Sequence, residues 1–333
     1  MPGELTEITE ISTALGMLAP DLPSALESPP TQLRNVSSEV WDRLVSTHDA
    51  GRHRDSFETA FANGQAFLAA TDGLRERAPR LVEWKGPHRP PGDDVIPADL
   101  RVDHVYMVSC KYLSKVLLNP GPPRLFDRLL IGEERSSFNW FAVTAPTEFQ
   151  AFYQAARSAT GLLGLPADVL GLTSEQQLAL KAALRARILP TSLQMEWRTL
   201  CQTVAAESAK RWRAAMPSQR SQLRLLWRLL RISTASYFVL GTDRSSHLRL
   251  RVDSAWDWMQ AYSLYALDVS SRPTGQPEVT WQASVHRRSD GAVLVIDGHV
   301  EIRWSHGRFN GFPEAKVYLD TALSAVPGYN LLD

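Results

Sequence analysis

Two extended segments, 95–102 and 104–111, are rich in Val, Ile and Tyr and have only Asp103 between them. Runs of β-branched and aromatic residues of this length read as strands, and so short a break leaves room only for a tight antiparallel hairpin. The hairpin limits which side chains can meet. Asp99 lies in its first strand, while Ser109 and Lys111 close the second. Alternation along a strand puts Ser109 and Lys111 on one face and turns Cys110 into the core. Lys111 stands out from its background, because only six of the 36 basic residues are lysine.

The segments around the hairpin have a definite order. Residues 1–36 contain Pro20, Pro23, Pro29 and Pro30 and no sustained hydrophobic period, so they read as a loosely ordered lead-in. A helix is expected near 37–47, capped by Ser37 or Ser38. A second helix over 54–70 places Phe57, Ala60, Phe61 and Phe67 on one stripe, with Asn63-Gly64 as its weak point. Glu83-Trp84-Lys85 forms a short strand, and a proline-rich loop runs from Gly86 to Asp94 before the hairpin. A helical start over 112–118, a short helix at 123–130, a strand at 138–144 and a helix opened by Thr147-Glu-Phe-Gln150 follow.

Beyond residue 160 the pattern changes. Helices are expected at 173–187, 192–215 and 218–231, then strands at 237–240, 248–252, 279–287 and 292–304. Ser289-Asp290-Gly291 makes a hairpin turn between the last two, while 254–268 fits helix or strand. Glu314-Ala315-Lys316, directly after Pro313, reads as a loop. The fold class is therefore α+β, with an αβββαβ core followed by a helical segment and a β-rich region. In segments, this gives a lead-in and helix at 1–50, the core at 51–160, a basic helical region at 161–232 and a β-rich region at 233–333.

A chain of 333 residues with 44% apolar and 22% charged residues can bury one large core or two modest ones. Formal net charge is zero, so a nucleic-acid surface must come from local segregation. Residues 181–231 hold eleven basic side chains against Glu196 and Glu207, whereas 1–60 hold ten acids against four arginines. Two cysteines, Cys110 and Cys201, supply neither a disulfide framework nor a zinc set. With no secretory leader or long apolar run, a cytoplasmic protein without a membrane partner is expected. Phosphate-loop, GxGxxG, GxSxG and HExxH patterns are missing, which disfavours ATP-driven, dinucleotide and serine-hydrolase chemistry.

Asp99, the ten-residue spacing and Ser109-Cys110-Lys111, set on the second and third strands of an αβββαβ order, resemble the PD-(D/E)xK, restriction-endonuclease-like nucleases over about residues 54–160. The resemblance implies a Mg²⁺-dependent DNA endonuclease leaving 5′-phosphate ends, of the kind used in restriction or phage defence. Magnesium would lower the pKa of a bound water and pair with phosphate oxygens, using one or two carboxylates and retained waters. Asp99 would be the principal ligand, with the Cys110 carbonyl beside it, and Lys111 would orient water or phosphate. Ser109 departs from the family pattern by standing where a second acid belongs. Glu58 on the preceding helix, Glu83 on the first strand and Asp103 are the carboxylates available to compensate.

The resemblance also implies a possible homodimer and a partner methyltransferase or helicase encoded elsewhere. Arg220, Arg224, Arg228 and Arg231 recur at helical spacing and would make one stripe for phosphate contact, with Lys210 and Arg213 on the helix before it. The stretch 301–311 adds Arg303, Trp304, His306 and Arg308 as base-reading or stacking candidates. Two alternatives stand beside the endonuclease: an inactive nuclease fold that only binds nucleic acid or a protein partner, and an RNA-directed nuclease.

Overall fold

The computed structural model describes residues 3–86, 96–112, 116–132, 138–185, 188–243, 246–272 and 275–332. The proline-rich loop from residue 87 on and Arg187 lie outside these, as does the centre of the helical start expected over 112–118, whose described ends are strand instead, at Tyr112 and at Val116–Leu118. In chain order the elements begin α1 (Glu4–Leu18), α2 (Leu22–Glu27), β1 (Leu33–Arg34), α3 (Ser38–Asp49), α4 (Arg54–Ala69), β2 (Val82–Trp84), β3 (Leu100–Val102) and β4 (Tyr106–Tyr112). Next come β5 (Val116–Leu118), α5 (Pro122–Phe126), α6 (Trp140–Thr144), α7 (Pro146–Thr160), α8 (Ser174–Ala183), α9 (Thr191–Ala215) and α10 (Gln219–Leu229). The chain continues with β6 (Tyr237–Asp243), β7 (Ser246–Val252), α11 (Ala255–Ala261), β8 (Tyr262–Ser271), β9 (Glu278–Arg287), β10 (Val293–Arg303), β11 (Glu314–Leu319) and β12 (Tyr329–Leu331). The protein is α+β.

Two compact units divide the chain. The first takes Met1–Ser114, Arg231–Tyr262 and Ala322–Asp333; the second takes Lys115–Leu230 and Ser263–Thr321. The consecutive segments expected from composition are thus interleaved. The cause is strand direction: β4 and β6 pair in parallel, Val108 opposite Phe238 through Tyr112 opposite Thr242, and a parallel pair needs a long crossover. Here the crossover contains the first part of the second unit.

The first unit is built on a seven-stranded mixed sheet, ordered β1-β2-β3-β4-β6-β7-β12. β2, β3 and β4 form an antiparallel meander. α1 and α4 cover one face, where Ile8, Ile11, Leu15, Phe57, Phe61 and Phe67 pack with Trp84, Leu100, Val108, Phe238 and Leu240. The expected lead-in is overturned: α1 is the most completely buried helix of this unit, with Glu7 through Met17 all inside. Its buried polar residues blur the period that would reveal it. Each of several finds a partner: Glu7 accepts from Arg43 at 2.8 Å, Thr13 donates to the Thr9 carbonyl at 2.7 Å, and Trp84 Nε1 donates to Glu10 at 2.6 Å.

Asn63-Gly64, weak by helix propensity, is the point on which α4 is seated. A Cβ on Gly64 would lie 2.1 Å from the Thr13 carbonyl oxygen, and one on Gly16 would lie 2.0 Å from that of Phe61. The two helix backbones therefore touch. Asn63 is fully buried and ties α4 to the sheet, donating to the Gly241 carbonyl at 2.9 Å and accepting from Arg249 Nε at 2.9 Å.

The second unit carries a five-stranded sheet, ordered β5-β11-β10-β9-β8, antiparallel from β5 through β9. α9 runs through its core on Leu193, Leu200, Val204 and Trp212. The strand expected at 138–144 is instead α6: Trp140, Phe141 and Thr144 are buried at helical spacing, and Asn139 caps the turn by accepting from Phe141 N at 3.0 Å. Glu314-Ala315-Lys316 opens strand β11 rather than a loop, since Pro313 precedes the ladder and costs it no donor. The ambiguous stretch 254–268 is both, α11 followed by β8. No described helix is long and apolar enough to cross a membrane.

Gly64→Ala should lose about 3 kcal/mol of stability, because the added methyl meets backbone rather than a movable side chain. Chemical denaturation of the variant beside the parent chain measures this.

Candidate functional site

The β3–β4 hairpin forms, but its first strand is Leu100–Val102 rather than 95–102, Asp99 falls just outside it, and the two ends do different work. At the closed end Asp103 and His104 both adopt positive φ, +49° and +60°. The Asp103 carboxylate accepts from the main-chain N–H groups of Arg80 and Leu81 at 2.8 and 3.1 Å. Asp103, considered as a metal ligand, instead pins the incoming chain at the end remote from Ser109.

At the open end, one residue beyond the last paired position (Leu100 opposite Val108), Asp99 stands across from Ser109. Both are buried, at 8% and 1% exposure. Asp99 Oδ2 accepts from the Cys110 N–H at 2.7 Å and from the Ser109 hydroxyl at 3.3 Å. The residues that the sequence grouped are thus together, and what joins them is a hydrogen-bonded carboxylate closing a strand end. Lys111 follows on the same face of β4 as Ser109, opposite Gly241 of β6. A Cβ on Gly241 would fall 1.8 Å from the Lys111 carbonyl oxygen, so glycine is what lets β6 lie against this residue. Cys110 turns toward α1 and α4. Burial, reinforced by the Asp99 and Glu10 charges, holds its thiol well above the ordinary range and therefore neutral.

The compensating carboxylates are committed elsewhere. Glu58 is exposed on α4 and paired with Arg54 at 2.9 Å, one turn away on its own helix. Glu83 holds Arg101 across the β2–β3 pair with contacts of 2.6 and 2.8 Å, and His104 approaches it at 3.4 Å. The Arg101 hydrogen bonds are the main reason its carboxyl lies below the usual range, with partial burial opposing them. Sequence reasoning missed Glu10, the buried acid on α1 whose charge reaches Cys110. No spacing signal marks it, because it is one of several polar residues inside a wholly buried helix.

Magnesium needs oxygen ligands converging on one point. Among the described residues no group of three His, Cys, Asp or Glu side chains is arranged to hold a metal ion. At the open end of the hairpin the carboxylate on hand is Asp99, with one oxygen already accepting two hydrogen bonds. Glu58, Glu83 and Asp103 hold other partners.

The basic candidates separate in the same way. Arg220 and Arg224 project from α10 into solvent, opposite its buried Leu225, Leu226 and Leu229. Arg228 bends back to the Leu129 carbonyl at 2.8 Å, and its half-burial lowers its pKa. Arg231 falls past the helix end with φ +58° and belongs to the first unit, so the expected four-residue stripe is two residues long. Lys210 pairs with Glu207 at 3.2 Å, Arg213 donates to the Val269 carbonyl at 2.8 Å, Arg303 pairs with Glu301 at 3.1 Å, and Arg308 donates to the Leu184 carbonyl at 2.7 Å. Comparison of the chain with protein families, curated proteins and solved structures returns no match.

Two outcomes follow from this geometry. Asp99→Ala should destabilise the first unit by about 1–3 kcal/mol, since it removes the acceptor of the Cys110 N–H; equilibrium urea unfolding reads it. Glu83→Gln should cost about 1 kcal/mol at neutral pH. Because the folded pKa of Glu83 lies below its unfolded value, that stabilisation is complete above the unfolded pKa of about 4.3 and disappears as pH falls through the folded one. Parent and variant curves should therefore converge in acid.

Proposed function

We propose that the chain is a nucleic-acid-binding protein built on a nuclease-type sheet that lacks a complete hydrolytic site. The observation that carries this reading is the mixed sheet itself. An antiparallel meander is followed by a strand parallel to its third member, with Asp99 across from Ser109 and Lys111 two residues on. That is the setting in which PD-(D/E)xK nucleases place their acids and lysine, which is why the resemblance is retained. The single carboxylate at that point, spent on the main chain of Cys110, is why binding is favoured over cleavage.

Support for a nucleic-acid partner comes from the segregation of charge into residues 181–231 and from Arg220 and Arg224, which stand exposed one turn apart on α10. A pair spaced in this way can follow adjacent phosphates, whereas arginines already holding carbonyls or carboxylates would have to exchange partners first. A second reading, a Mg²⁺-dependent DNA endonuclease, is favoured by Lys111, which occupies the lysine position of the pattern in a chain poor in lysine.

Fluorescence anisotropy with labelled duplex DNA and structured RNA, over a salt series and with or without Mg²⁺, separates these. Retention of duplex DNA without cleavage is expected, with an apparent Kd that weakens steeply with salt. Arg220→Ala together with Arg224→Ala should flatten the log–log salt slope by roughly two. Mg²⁺-dependent cleavage that disappears in both Asp99→Ala and Lys111→Ala would establish the endonuclease instead, and preference for structured RNA would redirect the proposal to that substrate.

A further inference from the structure

The second unit holds a cavity of 540 Å³ whose wall carries five basic side chains, Lys181, Arg185, Arg303, His306 and Arg308, and no acidic one among the described residues. Its volume lies within the range of small-molecule sites, about 300–1,000 Å³. Segments distant in sequence build it: the end of α8 brings Lys181 and Arg185, the end of β10 brings Arg303, and the following loop brings His306 and Arg308. Two acids stand behind the wall, Glu301 at 3.1 Å from Arg303 and Glu314 within electrostatic reach of His306. They leave the basic side in excess.

The wall is held in place. Arg308 is half-buried, its guanidinium donates to the Leu184 carbonyl at 2.7 Å, and burial lowers its pKa. The Lys181 chain lies over Gly307, whose φ of +99° only glycine adopts without strain and whose Cβ, if present, would come within 2.9 Å of Lys181 Cγ. Lys181 and Arg185 make no ion pair or side-chain hydrogen bond among the described residues. Two indoles complete the wall, Trp197 and Trp304. Trp197 is fixed by donating Nε1–H to the Gly275 carbonyl at 2.8 Å, and its ring plane lies 22° from that of Trp304. Half-exposed Trp197 is an aromatic face beside several cations.

We propose that this cavity binds a nucleoside phosphate, with the phosphate among the basic side chains and the base against Trp197. A lone inorganic anion would leave the aromatic wall unused, and an apolar ligand would strand several cations without a counter-charge. A base–phosphate unit satisfies both, since every base offers a π-face for stacking and phosphate accepts from arginine in pairs. The unit can come from a free nucleotide or from the phosphorylated end of a strand. The inference concerns the second unit alone and does not depend on the reading of the Asp99 hairpin.

Isothermal titration of the full chain with deoxyadenosine 5′-monophosphate, deoxyadenosine, inorganic phosphate and a 5′-phosphorylated single-stranded oligonucleotide tests it. The monophosphate should bind at least tenfold more tightly than deoxyadenosine or phosphate. Arg185→Ala should weaken it fivefold or more with an unchanged thermal midpoint, Arg303→Gln should weaken it by a similar factor while also losing the Glu301 ion pair, and Trp197→Phe, which keeps a ring face, should bind better than Trp197→Leu. Tighter binding of the oligonucleotide assigns the site to a strand end, and tighter binding of the monophosphate assigns it to a free nucleotide. A monophosphate that binds no better than phosphate, or whose affinity ignores Arg185 and Arg303, overturns the proposal. Nucleotide binding with no duplex retention rejects only the proposed function; duplex retention with no nucleotide binding rejects only this pocket.

Discussion

The direct seating of α1 on α4 is the constraint from which the first unit follows. Gly16 and Gly64 bring the two backbones to a separation that no side chain at either position permits. Only at that separation can both helices lie on one face of the sheet and bury Phe57, Phe61 and Phe67 against Trp84, Val108 and Phe238. The same approach carries Asn63 down to the Gly241 carbonyl. Gly241 in turn lets β6 run beside Lys111. Two helices and the central strand pair are thus coupled through three glycines and one buried amide.

That coupling explains the character of the Asp99 site. A carboxylate in a hydrolytic site must keep its oxygens available for an ion or water. Asp99 instead accepts the N–H of Cys110 where β3 and β4 stop pairing, a bond that stabilises the open end of the hairpin. Glu10 is likewise held by the Trp84 indole, and Glu83 by Arg101. Asp99, Glu10 and Glu83, the acids at the meander, each hold a structural partner and so serve the fold.

Charge is treated differently in the second unit. Several arginines there also hold backbone carbonyls, as Arg213, Arg228 and Arg308 do, but Arg220, Arg224 and, on the cavity wall, Arg185 are turned to solvent. Segregation of charge along the chain therefore located the basic residues but not which of them stay unspent. Whether an arginine is free or spent depends on a carbonyl brought to it from far along the chain, such as Leu129 beside Arg228.

Strongly patterned local features were legible without coordinates. The β3–β4 hairpin, the Thr173 capping box at the head of α8, the long α9, and the β9–β10 hairpin around Gly291 stand where composition and turn chemistry put them. So does the grouping of Asp99 with Ser109, because an antiparallel register is a local consequence of a tight turn. Three things were decided only by tertiary structure. α1 is a core helix because its polar side chains find distant partners. The residues at 138–144 are helical because Trp140, Phe141 and Thr144 have a buried face to fill. The strand that pairs with β4 beyond the meander is β6, which no local signal links to β4. The sequence by itself determined the hairpin and the grouping of Asp99 with Ser109 at its open end; the tertiary structure decided which acids and arginines are already spent on other partners. Availability depends on long-range hydrogen bonds, and a hydrogen bond between distant segments leaves no periodicity in either.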